Sequence, residues 1–251
     1  MSMVSDWFGT QGPARSRRLS LVAAVIVGVV IAAGALVYVN TSGTGAMRTQ
    51  SAAPSRAVID GFRSAHFGMN EGAVRAAIAT DFSAKIGPAA DAIKVIENKV
   101  ERTRILVVRV PDLFPDAGMT EIGYVLGYKT KALMQINLLW GTPLSPGVTS
   151  EQLAVIATNL QRYFVGQGFA ARDVKANIKI AKGAMLVFQG YDVNGRLVQL
   201  VRRAEAMTSP SATPAPADGA KPETRYRQTL QLSYIGDPKA PDTFQIGKGA
   251  F

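Results

Sequence analysis

Few side chains in this sequence have the types and the spacing that catalysis requires. His66 is the only histidine, and no motif that would supply a nucleophile and an orienting acid surrounds it. A catalytic triad needs a nucleophile, a base and an orienting acid, so His66 is interpreted as structural or solvated. There is no cysteine, which excludes a disulfide scaffold, a thiolate nucleophile and a cysteine-based metal site. We therefore expect a protein with no catalytic residues that is not an enzyme.

Metal and cofactor motifs are equally sparse. The segment 192–195 matches a calcium-binding loop for four residues, but the remaining ligands and the closing glutamate are missing. Its Asn194-Gly195 dipeptide favours a type I′ hairpin turn instead. Gly247 and Gly249 do not lie between a strand and a helix, as a phosphate-binding loop would. The sequence therefore predicts no metal site and no cofactor.

Three arginines are the candidate binding residues. Arg102 precedes an apolar strand, and Arg104 and Arg109 lie within it on opposite sides. A cation in an apolar strand must pair, extend its head to solvent or meet a ligand. The alternatives are ion pairs inside the fold, with Glu101 or Glu121, and contacts with an anionic partner.

Hydrophobic periodicity predicts the helices that position these residues. Apolar residues recur at helical spacing over residues 70–82, after Asn70 as the N-cap. A second helix begins at Thr149, which forms a capping box with Gln152. Residues 89–102 fit either a helix or a strand.

Alternation of apolar and polar residues predicts an antiparallel sheet. The expected strands cover residues 103–110, 122–128, 134–140, 184–193, 196–203 and 225–234. Either face of the hairpin around Asn194-Gly195 could be the buried one, because both carry apolar side chains.

The order of these elements predicts an α+β fold of two repeats. Residues 58–147 and 148–240 each contain a helix followed by strands, so we expect two units in which a helix packs across an antiparallel sheet. A loop at 208–223, rich in proline, alanine and serine, is predicted to be disordered. Residues 241–251 would form a C-terminal tail.

A short motif suggests a family. Phe67-Gly68-Met69-Asn70, followed by Val74 and Ile78, resembles the G-M-[ST]-x-x-x-V helix start of small outer-membrane assembly lipoproteins of the BamE/SmpA type, with Asn70 in place of the serine or threonine. The tandem arrangement is similar to the β-lactamase-inhibitor-protein fold, which doubles a related unit. The resemblance implies a binding fold without catalysis. The absence of a lipobox cysteine excludes lipoprotein processing.

The stretch Leu19–Val39 predicts a membrane span. It has no charge and no proline, and as a helix it would be as long as a bilayer's hydrocarbon core is thick. Arg15, Arg17 and Arg18 precede it, which places residues 1–18 in the cytoplasm. We therefore expect a single-pass protein of a bacterial inner membrane, with its C-terminal domain in the periplasm.

The surroundings of this stretch suggest a tether and one alternative. Residues 40–57, rich in small and polar residues, would be flexible. The alternative is a cleaved signal peptide, with Ser51 and Ala53 at the cleavage site. Small residues that would let a second transmembrane helix approach recur at every fourth position: Ala24, Gly28 and Ala32.

Charge and composition limit the partners. The formal net charge is +10, but the cations are scattered rather than clustered. Nucleic acid is not an expected partner of a periplasmic domain. The sequence predicts a membrane-anchored, non-enzymatic binding or assembly subunit of an envelope protein complex. Its alternatives are a periplasmic domain that binds a small ligand or an anionic lipid, and a hydrolase with an unrecognised site. The oligomeric state is left open.

Overall fold

One eight-stranded antiparallel sheet dominates the computed structural model, which describes residues 56–207 and 225–245. The first half contains β1 (Gly61–Phe62), β2 (Ala65–His66), α1 (Glu71–Ile86), α2 (Ala89–Ala92), β3 (Lys94–Asn98), β4 (Thr103–Pro111), β5 (Met119–Leu126) and β6 (Leu133–Gly141). The second contains α3 (Ser150–Val165), a 3₁₀ turn (Ala171–Asp173), β7 (Val174–Ala181), β8 (Ala184–Tyr191), β9 (Leu197–Met207) and β10 (Arg225–Ile235).

The two halves meet where β6 pairs with β10. The strand order is β3-β4-β5-β6-β10-β9-β8-β7, and every neighbouring pair is antiparallel. Leu138 lies opposite Leu232 in this pairing, and Gly141 lies opposite Thr229. Gly141 has a φ of 135°, and a β-carbon there would meet the carbonyl oxygen of Gln228. Glycine is therefore required for β6 to stay paired to its end.

The predicted fold class is wrong. The expectation was an α+β protein with a transmembrane helix and two repeats, each with its own sheet. The described chain is mostly β structure, with one continuous eight-stranded sheet, a two-stranded hairpin and three helices of sixteen, four and sixteen residues. The two expected sheets are one sheet because β6 pairs with β10. These two strands would otherwise be the exposed edges of two separate sheets.

The membrane predictions are also contradicted. Within the two described ranges, no helix combines the length and the apolar character needed to cross a bilayer. The longest helices, α1 and α3, have sixteen residues and polar outer sides, whereas a span needs about 20 apolar residues. This finding opposes a single-pass protein of the inner membrane with a cytoplasmic N-terminus. Leu19–Val39, on which that prediction rests, lies outside the described residues.

Both long helices lie on the same face of the sheet, here called the first face. The Asn70 side chain accepts the Ala73 N–H at 2.9 Å and begins α1. The predicted capping box begins α3: the Gln152 N–H donates to Thr149, and the Thr149 N–H donates to Gln152. Their apolar stripes enter one common core. The buried residues are Val74, Ala77, Ile78 and Phe82 from α1, and Leu153, Ile156, Ala157, Leu160 and Phe164 from α3.

The opposite side, here called the second face, has no described helix over it, yet it holds apolar residues too. Ile105, Val107, Val125 and Leu139 form a second buried cluster there. In β8, the register with β9 shifts between Leu186 and Phe188. This bulge explains the ambiguity of the hairpin's pattern, because it changes which residues face the core.

We predict that Leu160→Ala lowers the free energy of unfolding by about 2–5 kcal/mol, because Leu160 is buried in the common core. Thr149→Ala should cost only about 1 kcal/mol through the lost cap. Val155→Ala, on the exposed side of the same helix, is the control and should change stability by less than about 0.5 kcal/mol. Urea denaturation measures all three, and equal small effects would contradict the packing of α3.

Candidate functional site

Two of the three candidate arginines form ion pairs inside the fold. The Arg109 Nε lies 2.8 Å from the Glu121 carboxylate, which is almost fully buried. The Arg104 Nε lies 3.3 Å from Glu71 of α1 and 3.4 Å from Glu97 of β3. These contacts give both cations structural roles, and a role toward an anionic partner stays a prediction.

Arg102 belongs to a contact that fastens residues 236–245, here called the C-terminal clasp. Its guanidinium lies 3.8 Å from the centre of the Phe244 ring and 5.8 Å from that of Tyr128. The Phe244 N–H donates to the carbonyl of Glu101 at 2.8 Å, and the Tyr128 N–H donates to the carbonyl of Asp242 at 2.7 Å. Arg102 therefore helps to hold the clasp against the turns that precede β4 and β6.

The Asp242 carboxylate caps the turn between β5 and β6. It accepts hydrogen bonds from the N–H groups of Lys129 and Thr130 and from the Thr130 hydroxyl. Partial desolvation raises the pKa of the Asp242 carboxyl, but the bonds from Thr130 and Lys129 and the Lys129 charge together lower it more. The net pKa is below its ordinary value.

The remaining predicted sites fall into two groups. The transmembrane packing stripe of Ala24, Gly28 and Ala32 and the proline-rich loop at 208–223 lie outside the described residues. In the part of the chain that the structure describes, no cluster of three metal-ligating side chains is found. Asp192, from the calcium-like segment, accepts the N–H groups of Asn194 and Arg196 and so caps its own hairpin turn.

The second face carries a row of neutral polar side chains that sequence reasoning missed. Cross-strand pairing aligns Asn137 of β6, Ser233 of β10, Gln199 of β9 and Gln189 of β8. This polar row crosses four neighbouring strands at right angles to their direction. Three of its members are buried, with Asn137 and Gln189 each 2% exposed.

Hydrogen bonds connect the polar row to two further side chains. The Ser233 hydroxyl and the Gln135 amide both donate to the Asn137 Oδ1, at 2.8 Å each. The Gln231 amide donates to the Ser233 Oγ at 3.1 Å, and the Gln199 amide donates to the Gln189 Oε1 at 3.3 Å. These bonds hold most of the amides in fixed orientations.

One donor in the row has no partner. The Asn137 Nδ2 is buried and forms no hydrogen bond with the described chain. Next to Asn137 across the strand is Gly123 of β5, which contributes no side chain to the row. An unpaired buried amide costs about 1–3 kcal/mol, and the described contacts do not offset this cost.

The surroundings of the row mix apolar and amide side chains, and its charges lie at the ends. The flanking residues in cross-strand order are Gln135, Ile235 and Leu197 on one side and Leu139, Gln231 and Val201 on the other. Lys94 on β3 and Lys175 on β7 are aligned with the row at the two edges of the sheet. The second face therefore combines a neutral hydrogen-bonding centre, a margin of apolar and amide side chains, and cationic ends.

Comparisons with models of protein families, with curated proteins and with solved structures found no match to this chain. The resemblance to BamE/SmpA-type lipoproteins and to the β-lactamase-inhibitor-protein fold therefore stays a prediction.

We predict that Asp242→Asn lowers hydrogen-exchange protection of the Lys129 and Thr130 amides, because the charged acceptor is lost. Since the folded-state pKa of Asp242 is depressed, its stabilisation is present above the unfolded pKa and disappears as pH falls through the lower folded pKa. Protection in the parent protein should therefore fall in acid, while protection in the variant should start low and change little.

Asp237→Asn is the matched control. The Asp237 carboxylate accepts only the N–H groups of Lys239 and Ala240 within its own loop. The measurement is of NMR protection factors for the amides in the turn between β5 and β6. Equal effects of the two variants would show that Asp242 does not cap this turn.

Proposed function

We propose that this chain is a non-enzymatic binding protein and that the second face of its sheet receives a protein partner. The observation that carries the proposal is the row of hydrogen-bonded neutral side chains on a face over which the described part of the chain places no helix.

The chemistry of the face favours a protein over a charged polymer. Side-chain amides both donate and accept, as the peptide groups of a protein surface do, and they carry no charge. Binding of phosphate chains requires several cations, yet the centre of the row is neutral and the nearby Arg109 is paired with Glu121. We therefore propose a partner that places backbone or amide acceptors over the row and apolar side chains around it.

The composition of the face agrees with that of a transient interface. Apolar side chains beside fixed hydrogen-bonding groups supply burial and orientation together. Ser233 lies at the centre of the row, on the strand that joins the halves of the sheet, so a change there tests the face directly.

We predict that Ser233→Arg weakens partner binding; because Ser233 is buried and bonded to Asn137 and Gln231, thermal melts must first show that the variant is folded. A partner would have to bury an unpaired cation, and an affinity loss of at least about tenfold is expected. Ser83→Arg, on the exposed side of α1, is the matched control and should bind like the parent protein. Gly123→Leu adds a side chain opposite Asn137 without adding charge and should also weaken binding.

The measurement is quantitative mass spectrometry of proteins that co-purify with the parent chain and each variant, together with thermal melts. Proteins recovered with the parent and with Ser83→Arg but lost with folded Ser233→Arg and Gly123→Leu are the expected partners. If both second-face variants are folded and retain every protein that the control retains, the proposal is wrong.

A further inference from the structure

A cavity of about 420 Å³ lies on the first face, away from the polar row. Its floor is formed at the junction of β6 and β10 by Leu138, Leu232 and Tyr234. One wall is the segment 57–63 and the other is α3. The cavity therefore lies where the two halves of the sheet join, and it is independent of the proposed binding face.

Six aromatic residues contribute to the lining of the cavity. The Phe62 and Tyr234 rings are 5.9 Å apart, and Phe164 of α3 packs edge-on against Tyr234 at 6.2 Å. Phe114 and Phe169 line it as well. These rings supply a large apolar surface of the kind that ligand cavities use.

The wall formed by segment 57–63 is fixed by hydrogen bonds. The Ile59 N–H donates to the buried Asp192 carboxylate at 2.8 Å, and Arg196 donates to the Ile59 carbonyl at 2.7 Å. Arg196 also pairs with Asp60 at 2.8 Å. The segment is held to the turn between β8 and β9, so the cavity is formed before any ligand arrives.

A cation lies at the edge of this apolar cavity. Arg63 lines it, and its guanidinium lies over the rings of Phe62, at 5.7 Å, and Phe82, at 5.0 Å. Among the described carboxylates, none forms an ion pair with Arg63. Asp60 lines the cavity too, but its carboxylate is paired with Arg196 and His66. The charge balance at this edge therefore favours an anion.

The size of the cavity limits its ligand. A dry cavity of about 150 Å³ holds one benzene molecule, so 420 Å³ accommodates roughly 17 carbon-sized atoms. Asn159 and Tyr163 of α3 and Gln167 just after it line the cavity and are exposed, so this side of the cavity is open to solvent.

From these contacts we infer that the cavity binds an amphiphilic monocarboxylate, with an apolar chain between the aromatic walls and the carboxylate beside Arg63. A fatty acid of medium chain length has this chemistry. The chain would cover Leu138 and Leu232, and the carboxylate would accept hydrogen bonds from the guanidinium.

Dodecanoate, below its micellar concentration, is the probe. Trp140 is fully buried, and its ring lies 5.7 Å from that of Phe114, a residue of the cavity wall. All proteins are the 251-residue chain carrying Trp7→Phe, which leaves Trp140 as the sole tryptophan. Dodecanoate should change Trp140 emission in a saturable way at sub-millimolar concentration.

Two neighbouring positions on α3 give a matched pair of variants. Asn159→Phe blocks the exposed edge of the cavity and should weaken dodecanoate binding at least about tenfold. Thr158→Phe adds the same ring at an exposed position that does not line the cavity and should leave binding unchanged. Circular dichroism confirms that both variants keep the fold.

The role of Arg63 is tested with a neutral chain of equal length. Arg63→Gln should weaken dodecanoate binding by about three- to tenfold and leave 1-dodecanol binding unchanged, since only the carboxylate needs the cation. Absence of saturable binding, equal effects of Asn159→Phe and Thr158→Phe, or equal losses of dodecanoate and dodecanol in Arg63→Gln would each overturn the inference.

Discussion

The pairing of β6 with β10 is the constraint on which the rest of this structure depends. It joins two groups of four strands into one sheet, whose edges among the described strands are β3 and β7. The same two strands supply both candidate sites. Leu138 and Leu232 form the floor of the cavity on one face, and Asn137 and Ser233 lie opposite each other at the centre of the polar row on the other. A shift of one residue in this register would exchange the two faces.

Local signals in the sequence predicted the helices better than the sheet. The capping box of Thr149 and the apolar stripe of α3 depend on residues a few positions apart, and the structure forms both. Alternation of apolar and polar residues predicts a strand but does not identify the strand with which it pairs. The pairing of β6 with β10 could therefore not be predicted from this pattern. The strand β7 was missed because nearly all of its side chains are exposed and no buried face gives it a pattern.

The candidate sites were less predictable than the fold because they are assembled from distant segments. Arg102, Arg104 and Arg109 were predicted as binding residues because of their charge and position. In the structure each of them contacts a partner within the chain. The polar row takes one residue from each of four strands, and none of them is unusual alone. Polar residues at alternate positions of β6 and β10 were the available signal, but only the register shows that Asn137 and Ser233 are adjacent.

The order of the strands along the chain has a consequence for biosynthesis. β6 ends at Gly141, but its partner is not complete until Ile235. At roughly 5–20 residues per second, translation of the intervening chain takes on the order of 5–20 seconds. During that interval β6 is the unpaired edge of the sheet formed by β3 to β6. Its N–H and carbonyl groups on that edge have no strand partner, and its side chains include leucines and Trp140. A nascent chain in this condition is a natural substrate for chaperones that shield strand edges until synthesis is complete.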